Sequence, residues 1–174
     1  MQMGSAADRI EGFGSVSSGI GFIGKHELRI DDKGRLSIPS RFKTVLIEQH
    51  PDDGMQVVVS PSLDMNLIVQ PASEFAKLAV EFEQYNELDE EARRLKEILI
   101  GLATQEKVDA SGRIRLSADL RKLANLNHDV TVIGENRFFT VWDRERWNAT
   151  ESAALRDLKH LAEQVRVKNR AEKT

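Results

Sequence analysis

The chain has 174 residues, 40% of them apolar, with 25 basic and 28 acidic residues for a formal net charge of −3. That is enough material for one sizeable domain or two small ones sharing a core. It contains no cysteine, which excludes a disulfide framework, a thiolate nucleophile and a zinc ribbon, and no apolar run approaches the roughly 18–20 residues of a membrane-spanning helix.

Met1 to Gly19 is rich in Gly, Ser and Ala, lacks periodicity and has no continuous apolar core, so residues 1–20 read as a flexible leader or foreign remnant, not a secretory signal. Ile20 to Ile30 carries strand-like apolar positions at Phe22, Leu28 and Ile30. Asp31-Asp32-Lys33-Gly34 is a turn, with Gly free to take positive φ and Asp able to bond nearby N–H groups. Arg35 to Ile38 alternates as a half-buried strand does. Pro39-Ser40 then starts a short helix with Phe42, Val45 and Leu46 on one face. Met55 to Ser60 and Met65 to Gln70 form a hairpin around Pro61-Ser62-Leu63-Asp64.

Ser73 is expected to cap a helix bearing Phe75, Leu78, Ala79 and Phe82 at the 3.6-residue period. A second helix over Glu90 to Leu99 is expected to bury Leu88, Ala92, Leu95 and Leu99. The chain then predicts a strand to Val108, a turn at Asp109-Ala110-Ser111-Gly112, a strand Arg113 to Leu116, and a helix with Leu120 and Leu123. Strands Val130 to Ile133 and Phe138 to Trp142 follow. One long final helix runs from about Asp143 to Val165, with a stripe of Trp147, Ala154, Leu158, Leu161 and Val165 reading as core or subunit interface. The basic run Arg166 to Arg170 reads as a charged tail.

One unit occurs twice in this order. A shift of 78 positions carries Asp31 onto Asp109, Gly34 onto Gly112, Arg35 onto Arg113, Phe42 onto Leu120 and Lys43 onto Arg121. A shift of 72 carries Leu67–Phe75 onto Phe139–Trp147, so the first copy holds extra residues, most simply at Glu48 to Gly54. Two copies do not make a solenoid, which needs at least three. They predict two similar halves in one body.

Charge is unevenly spread between the copies. Lys25 to Lys43 has six basic and three acidic residues, Arg113 to Lys122 is also basic, and Glu74 to Glu91 is acidic. The run from Glu81 to Glu91 has the charge to bind a divalent cation but reads instead as the solvated face and linker of a helix pair. His26, His50, His128 and His160 lack metal-ligand spacing, and the chain has no phosphate-binding Gly-rich loop and no Gly-x-Ser-x-Gly elbow. No catalytic residue, metal set or cofactor follows.

The repeated Asp-x-x-Gly-Arg turn is the best candidate for function. A turn needs Asp and Gly but not the Arg behind them, so Arg35 and Arg113 at the same offset point to a shared task or to residual identity from duplication. Arg presents a planar fork of donors suited to phosphate oxygens or the O6 and N7 edge of guanine. Asp31 and Asp109 would hold that fork or fix the turn backbone. Lys25, Arg29, Lys33, Arg41 and Lys43 add cations in the first copy, Arg115, Arg121 and Lys122 in the second.

Several linked motifs resemble the MraZ family of bacterial regulators, relatives of the AbrB-type swapped-hairpin proteins: Gly21-Phe22-Ile23-Gly24-Lys25-His26, Asp31 through Pro39, Ser111-Gly112-Arg113-Ile114, and Val132-Ile133-Gly134 leading to Val141-Trp142-Asp143-Arg144-Glu145-Arg146-Trp147. The resemblance spans roughly Gly21 to Val165, with the family's Asp-x-x-x-Arg signature on Asp31/Arg35 and Asp109/Arg113. It implies an α+β fold of two intertwined swapped-hairpin, double-psi-barrel-type halves with pseudo-twofold symmetry and packing helices. The halves would occupy 21–86 and 101–148, joined by a connecting helix at 87–100 and followed by a C-terminal helix and basic tail at 149–174. It implies a ring-shaped homo-oligomer in the bacterial cytoplasm, associated with the nucleoid. That ring would regulate transcription by binding repeated short sites on double-stranded DNA upstream of the division and cell wall gene cluster.

On that reading Arg35 and Arg113 are the principal DNA contacts. Lys33, Arg29, Arg115, Lys43 and Arg41 anchor phosphates, and Asp31, Asp109, Gly34 and Gly112 support them. The sequence departs from its own repeat at Ser117 against Pro39 and Ser111 against Lys33, so the two turns need not contact DNA equally. It departs from the family at Gly21, where members commonly have Met. The alternative is a non-catalytic scaffold recruiting a division or cell-wall partner through the acidic helix pair.

Overall fold

Strand β1 (Phe22–Arg29) leads through the Asp31–Gly34 turn into the short β2 (Arg35–Ser37) and helix α1 (Ser40–Gln49). The computed structural model describes residues 19–85 and 89–171, so Leu88 and the leader through residue 18 lie outside the described residues. α1 turns Phe42, Val45 and Leu46 inward. A 3-10 turn at Pro51–Asp53 then precedes hairpin β3 (Gln56–Pro61) and β4 (Leu67–Pro71), helix α2 (Ala72–Glu83) and helix α3 (Glu90–Leu99).

The same order recurs as β5 (Thr104–Lys107), β6 (Arg113–Arg115), α4 (Ala118–Leu123), β7 (Asp129–Asn136), β8 (Phe139–Asp143), α5 (Arg144–Arg156) and α6 (Leu158–Ala171). Helix α1 has 10 residues and α4 has 6, and only α1 is followed by a 3-10 turn. The extra residues of the first copy therefore sit at the end of α1 and in that turn, where the change of shift puts them.

Six strands form one antiparallel sheet in the order β1-β7-β8-β4-β3-β5, and β2 pairs with β6 as a separate two-stranded ribbon. Each half's first strand pairs with the other half's hairpin: β1 with β7, and β5 with β3. The two hairpins meet where Ile68 faces Thr140, and the ribbon pairs Leu36 with Ile114. Both are repeat-equivalent positions. Every strand of β4 and β8 lies between neighbours, and their residues are nearly all buried, as central strands require.

The core lies between sheet, ribbon and the two short helices. Phe22 and Phe139 are edge-on with ring centroids 5.4 Å apart, and Phe42 sits 5.4 Å from Phe22 and 5.1 Å from Phe139. Leu36, Ile114, Leu116 and Leu120 close it from the ribbon side. On the sheet's other face Trp142 meets Trp147 of α5 at 5.3 Å, and Arg146 lies over the Trp142 ring.

Four expectations are corrected. Ser73 does not cap α2: the helix starts at Ala72, and both the backbone N–H and the hydroxyl of Ser73 donate to Asp53 Oδ2, at 3.1 and 2.9 Å. The orphan amide is thus satisfied from the 3-10 turn, a tertiary cap that local sequence does not reveal. The final helix is two helices. Its break is at Asp157, whose N–H is shared between the carbonyls of Ala153 and Ala154 as the turn tightens. Helix α3 buries nothing fully: Ala92 and Leu99 are half-buried and Leu95 is exposed. Its apolar side borders an open cleft of about 790 Å³ with Phe82, Tyr85 and Ile100 instead of the core. The basic run from Arg166 belongs to α6 and is no loose tail, while the stripe residues Leu158, Leu161 and Val165 are exposed and take no part in the core.

Candidate functional site

Both Asp-x-x-Gly-Arg segments fold into the same tight turn. In the first, Asp31 Oδ1 accepts from the backbone N–H groups of Lys33 and Arg35, each at 2.9 Å, and Oδ2 accepts from Arg35 Nε at 2.8 Å. In the second, Asp109 Oδ1 accepts from Ser111 and Arg113 N–H at 2.9 Å, and Oδ2 from Arg113 Nε at 3.1 Å. Gly34 at φ 74° and Gly112 at φ 75° supply the left-handed residue that closes each turn. Each Asp therefore does both jobs left open by the sequence: it fixes the turn backbone and it holds the guanidinium.

The same contacts set the carboxylates' acidity. Asp31 and Asp109 are held below the usual carboxylate range, first by the backbone N–H of Arg35 or Arg113; burial opposes this, and the bond and charge of that arginine's side chain restore the lowering. Both aspartates are accordingly ionised at neutral pH and face their arginines as opposite charges.

The ribbon joins the two turns. Antiparallel pairing sets Arg35 opposite Arg115 and Ser37 opposite Arg113, and directly opposed residues share a face. Leu36 and Ile114 fill the other face in the core, so Arg35, Arg113, Arg115 and Ser37 form one solvent-facing surface. Gly34 O accepts from Leu116 N–H at 2.8 Å and Gly112 O from Ile38 N–H at 2.9 Å, locking each turn to the opposite strand. With Gly34 and Ile38 four residues apart, the turns stand about 13 Å from each other at about 3.3 Å per residue. Arg35 faces the like-charged Arg115 across the ribbon, while Arg35 and Arg113 are each paired with the aspartate of their own turn.

The other candidates divide. Lys33 is exposed on the first turn, Arg41 is exposed near the start of α1, and Arg29 is exposed at the end of β1 opposite Asp129. Lys25 is drawn away into an ion pair with Glu151 of α5 at 2.6 Å. Lys43 is half-buried and reaches the second turn, not its own; Arg121 reaches the first. Lys107, which the shift of 78 makes the repeat equivalent of Arg29, is exposed at the end of β5.

Outside the turns, Glu74 is buried and bonded by Lys77 at 2.5 Å and Arg137 at 2.9 Å. His50 Nδ1 lies 3.2 Å from Ser73 Oγ. The Ser73 hydroxyl donates to Asp53 Oδ2 at 2.9 Å. Among the described residues no group of three or more His, Asp or Glu is arranged to hold a metal ion, and no helix is long and apolar enough to cross a membrane.

The family model described as "MraZ protein, putative antitoxin-like" matches the chain twice, at residues 22–98 and 99–168. The chain belongs to the MraZ family. Each MraZ match contains one Asp–Arg turn, Asp31/Arg35 in the first and Asp109/Arg113 in the second. Similar proteins bear the name transcriptional regulator MraZ. One from a Marinomonas species is 36% identical over 128 residues, 74% of this chain and 83% of the relative. One from Mycolicibacterium smegmatis is 36% identical over 132 residues, 76% and 87%. One from Pseudomonas fluorescens is 34% identical over 134 residues, 77% and 87%. The mixed α+β architecture with its antiparallel sheet and the two MraZ segments agree with the expected fold class.

Proposed function

We propose that this MraZ chain is a transcriptional regulator that binds double-stranded DNA through the β2–β6 ribbon and its two Asp–Arg turns. The observation that carries the reading is the ribbon's outer face, where Arg35, Arg113 and Arg115 gather and the first two are held in place by Asp31 and Asp109. A major groove is about 12 Å wide and admits a two-stranded ribbon, which suits turns about 13 Å apart. Arg35 and Arg113, oriented by their aspartates, make the base or phosphate contacts. Lys33, Arg29, Arg41, Lys43 and Arg115 serve the backbone, and Gly34 and Gly112 allow the close approach.

The finer parts of the reading follow the family. The halves 21–86 and 101–148, linked by 87–100 and followed by 149–174, form an intertwined swapped-hairpin pair with pseudo-twofold symmetry, a reading supported by the cross-pairing of β1 with β7 and β5 with β3. Copies assemble into a ring that covers the exposed stripe of α6 and arrays the turns along repeated sites upstream of the division and cell wall genes, in the cytoplasm at the nucleoid. The scaffold alternative would use the acidic face of α2 and α3, where Glu97 and Glu90 form exposed pairs with Arg93 and Arg94 of the same helix.

The test is fluorescence anisotropy on the protein's own upstream DNA against scrambled DNA across a salt series. Tight, selective, salt-sensitive binding is expected, with at least about a hundredfold loss in R35A/R113A. Unchanged affinity in that double variant sinks the assignment.

A further inference from the structure

An Asp–Arg pair is formally neutral, so neither turn by itself attracts a phosphate strongly. The missing charge is supplied across the halves. A Cβ placed on Gly112 would lie 2.6 Å from Lys43 Nζ, and one on Gly34 would lie 3.1 Å from a terminal guanidinium nitrogen of Arg121. Lys43 and Arg121 are repeat-equivalent residues of α1 and α4, yet each lies over the turn of the other half. Among the described residues neither is in an ion pair. Arg121 is steadied by donation from Nε to Leu116 O at 3.1 Å, beside the Leu116 N–H that bonds Gly34.

We propose that the chain has two composite phosphate sites built across its halves, Arg35 with Arg121 and Arg113 with Lys43. The inference rests on the DNA-binding reading and specifies how its turns gain net charge. In each site the aspartate orients the arginine fork while the partner half's cation supplies the positive excess, and the bare glycine leaves that cation room. The groupings differ from those of chain order, which would join Lys43 to Arg35. The two sites also differ from each other: the first uses a guanidinium anchored to backbone, the second an ammonium point charge on a four-carbon stem.

Double-mutant cycles on DNA affinity of the full chain separate the groupings. K43M with R113A, and R121M with R35A, are expected to lose at least about threefold less affinity than the product of the single losses. K43M with R35A, and R121M with R113A, are expected to combine multiplicatively. K43M should also reduce the slope of log affinity against log salt by about one, which loss of packing alone would not do, and R121K should retain the slope that R121M loses. Additive behaviour within the cross-half pairs, or coupling within the same-half pairs, overturns the composite sites while leaving the DNA reading intact. Full affinity in R35A/R113A overturns both.

Discussion

Single atoms decide several positions in this chain. Gly134 faces Gly24 across β1 and β7, and a Cβ on Gly134 would lie 2.6 Å from both Phe22 C and Ile23 N. Those are backbone atoms, which cannot swing aside. Gly134→Ala is therefore expected to destabilise the protein by about 1–3 kcal/mol, read as a lower urea midpoint with an unchanged slope. Asp31 and Asp109 show a second kind of single-residue control. Two backbone N–H groups converge on one carboxylate oxygen while the other oxygen takes the arginine, so the turn and the guanidinium are set by one residue.

At the scale of elements, helix starts are fixed in unequal ways. Pro39 opens α1 without a side-chain cap, whereas Ser117 caps α4 by accepting from Leu120 N–H. The buried Asp143 does more than either. Oδ1 accepts from Glu145 and Arg146 N–H at the start of α5, and Oδ2 accepts from the backbone and side-chain amides of Asn127. Asp143 thereby ties α5 to the loop before β7. Asp143→Ala is expected to cost about 2–3 kcal/mol, more than an ordinary cap, because amides on two elements lose their acceptor. A urea titration monitored by tryptophan fluorescence reads this directly through Trp142 and Trp147.

Across the whole molecule, titrating groups make stability fall on acidification. Burial pushes His50 below its ordinary 6.5, with Asp53 and Glu74 only partly opposing. Burial pushes Glu74 up, but bonds from Lys77 and Arg137 together outweigh it and leave the group below 4.5. Asp31 and Asp109 are also lowered. Each of these groups binds fewer protons folded than unfolded. Their stabilisation is complete above the unfolded pKa and is lost as pH falls through the folded one. Glu106, raised by burial, works in the opposite sense, favouring the fold while protonated. Unfolding free energy measured from pH 8 downward should decline first below about 6.5 and again through the carboxylate range. His50→Gln should remove the first decline and leave the second; retention of both refutes the assignment to His50.

The sequence by itself determined the duplicated order of strands and helices, the two turns, the place of the extra residues and the inward faces of α1 and α4. All of these follow from local patterning, turn chemistry and a repeat that can be aligned without a structure. The break at Asp157, the capping of α2 by Asp53 and the exposure of α3 and α6 were decided only by tertiary structure, since each depends on what lies beside an element and not on its own periodicity. The same holds at the candidate site. The sequence supplied Asp31, Arg35, Asp109 and Arg113, but Lys43 and Arg121 changed partners, because antiparallel pairing of β2 with β6 brings each turn under the helix of the opposite half. Chain order groups residues by descent from the repeat; the pairing of strands groups them by position in space.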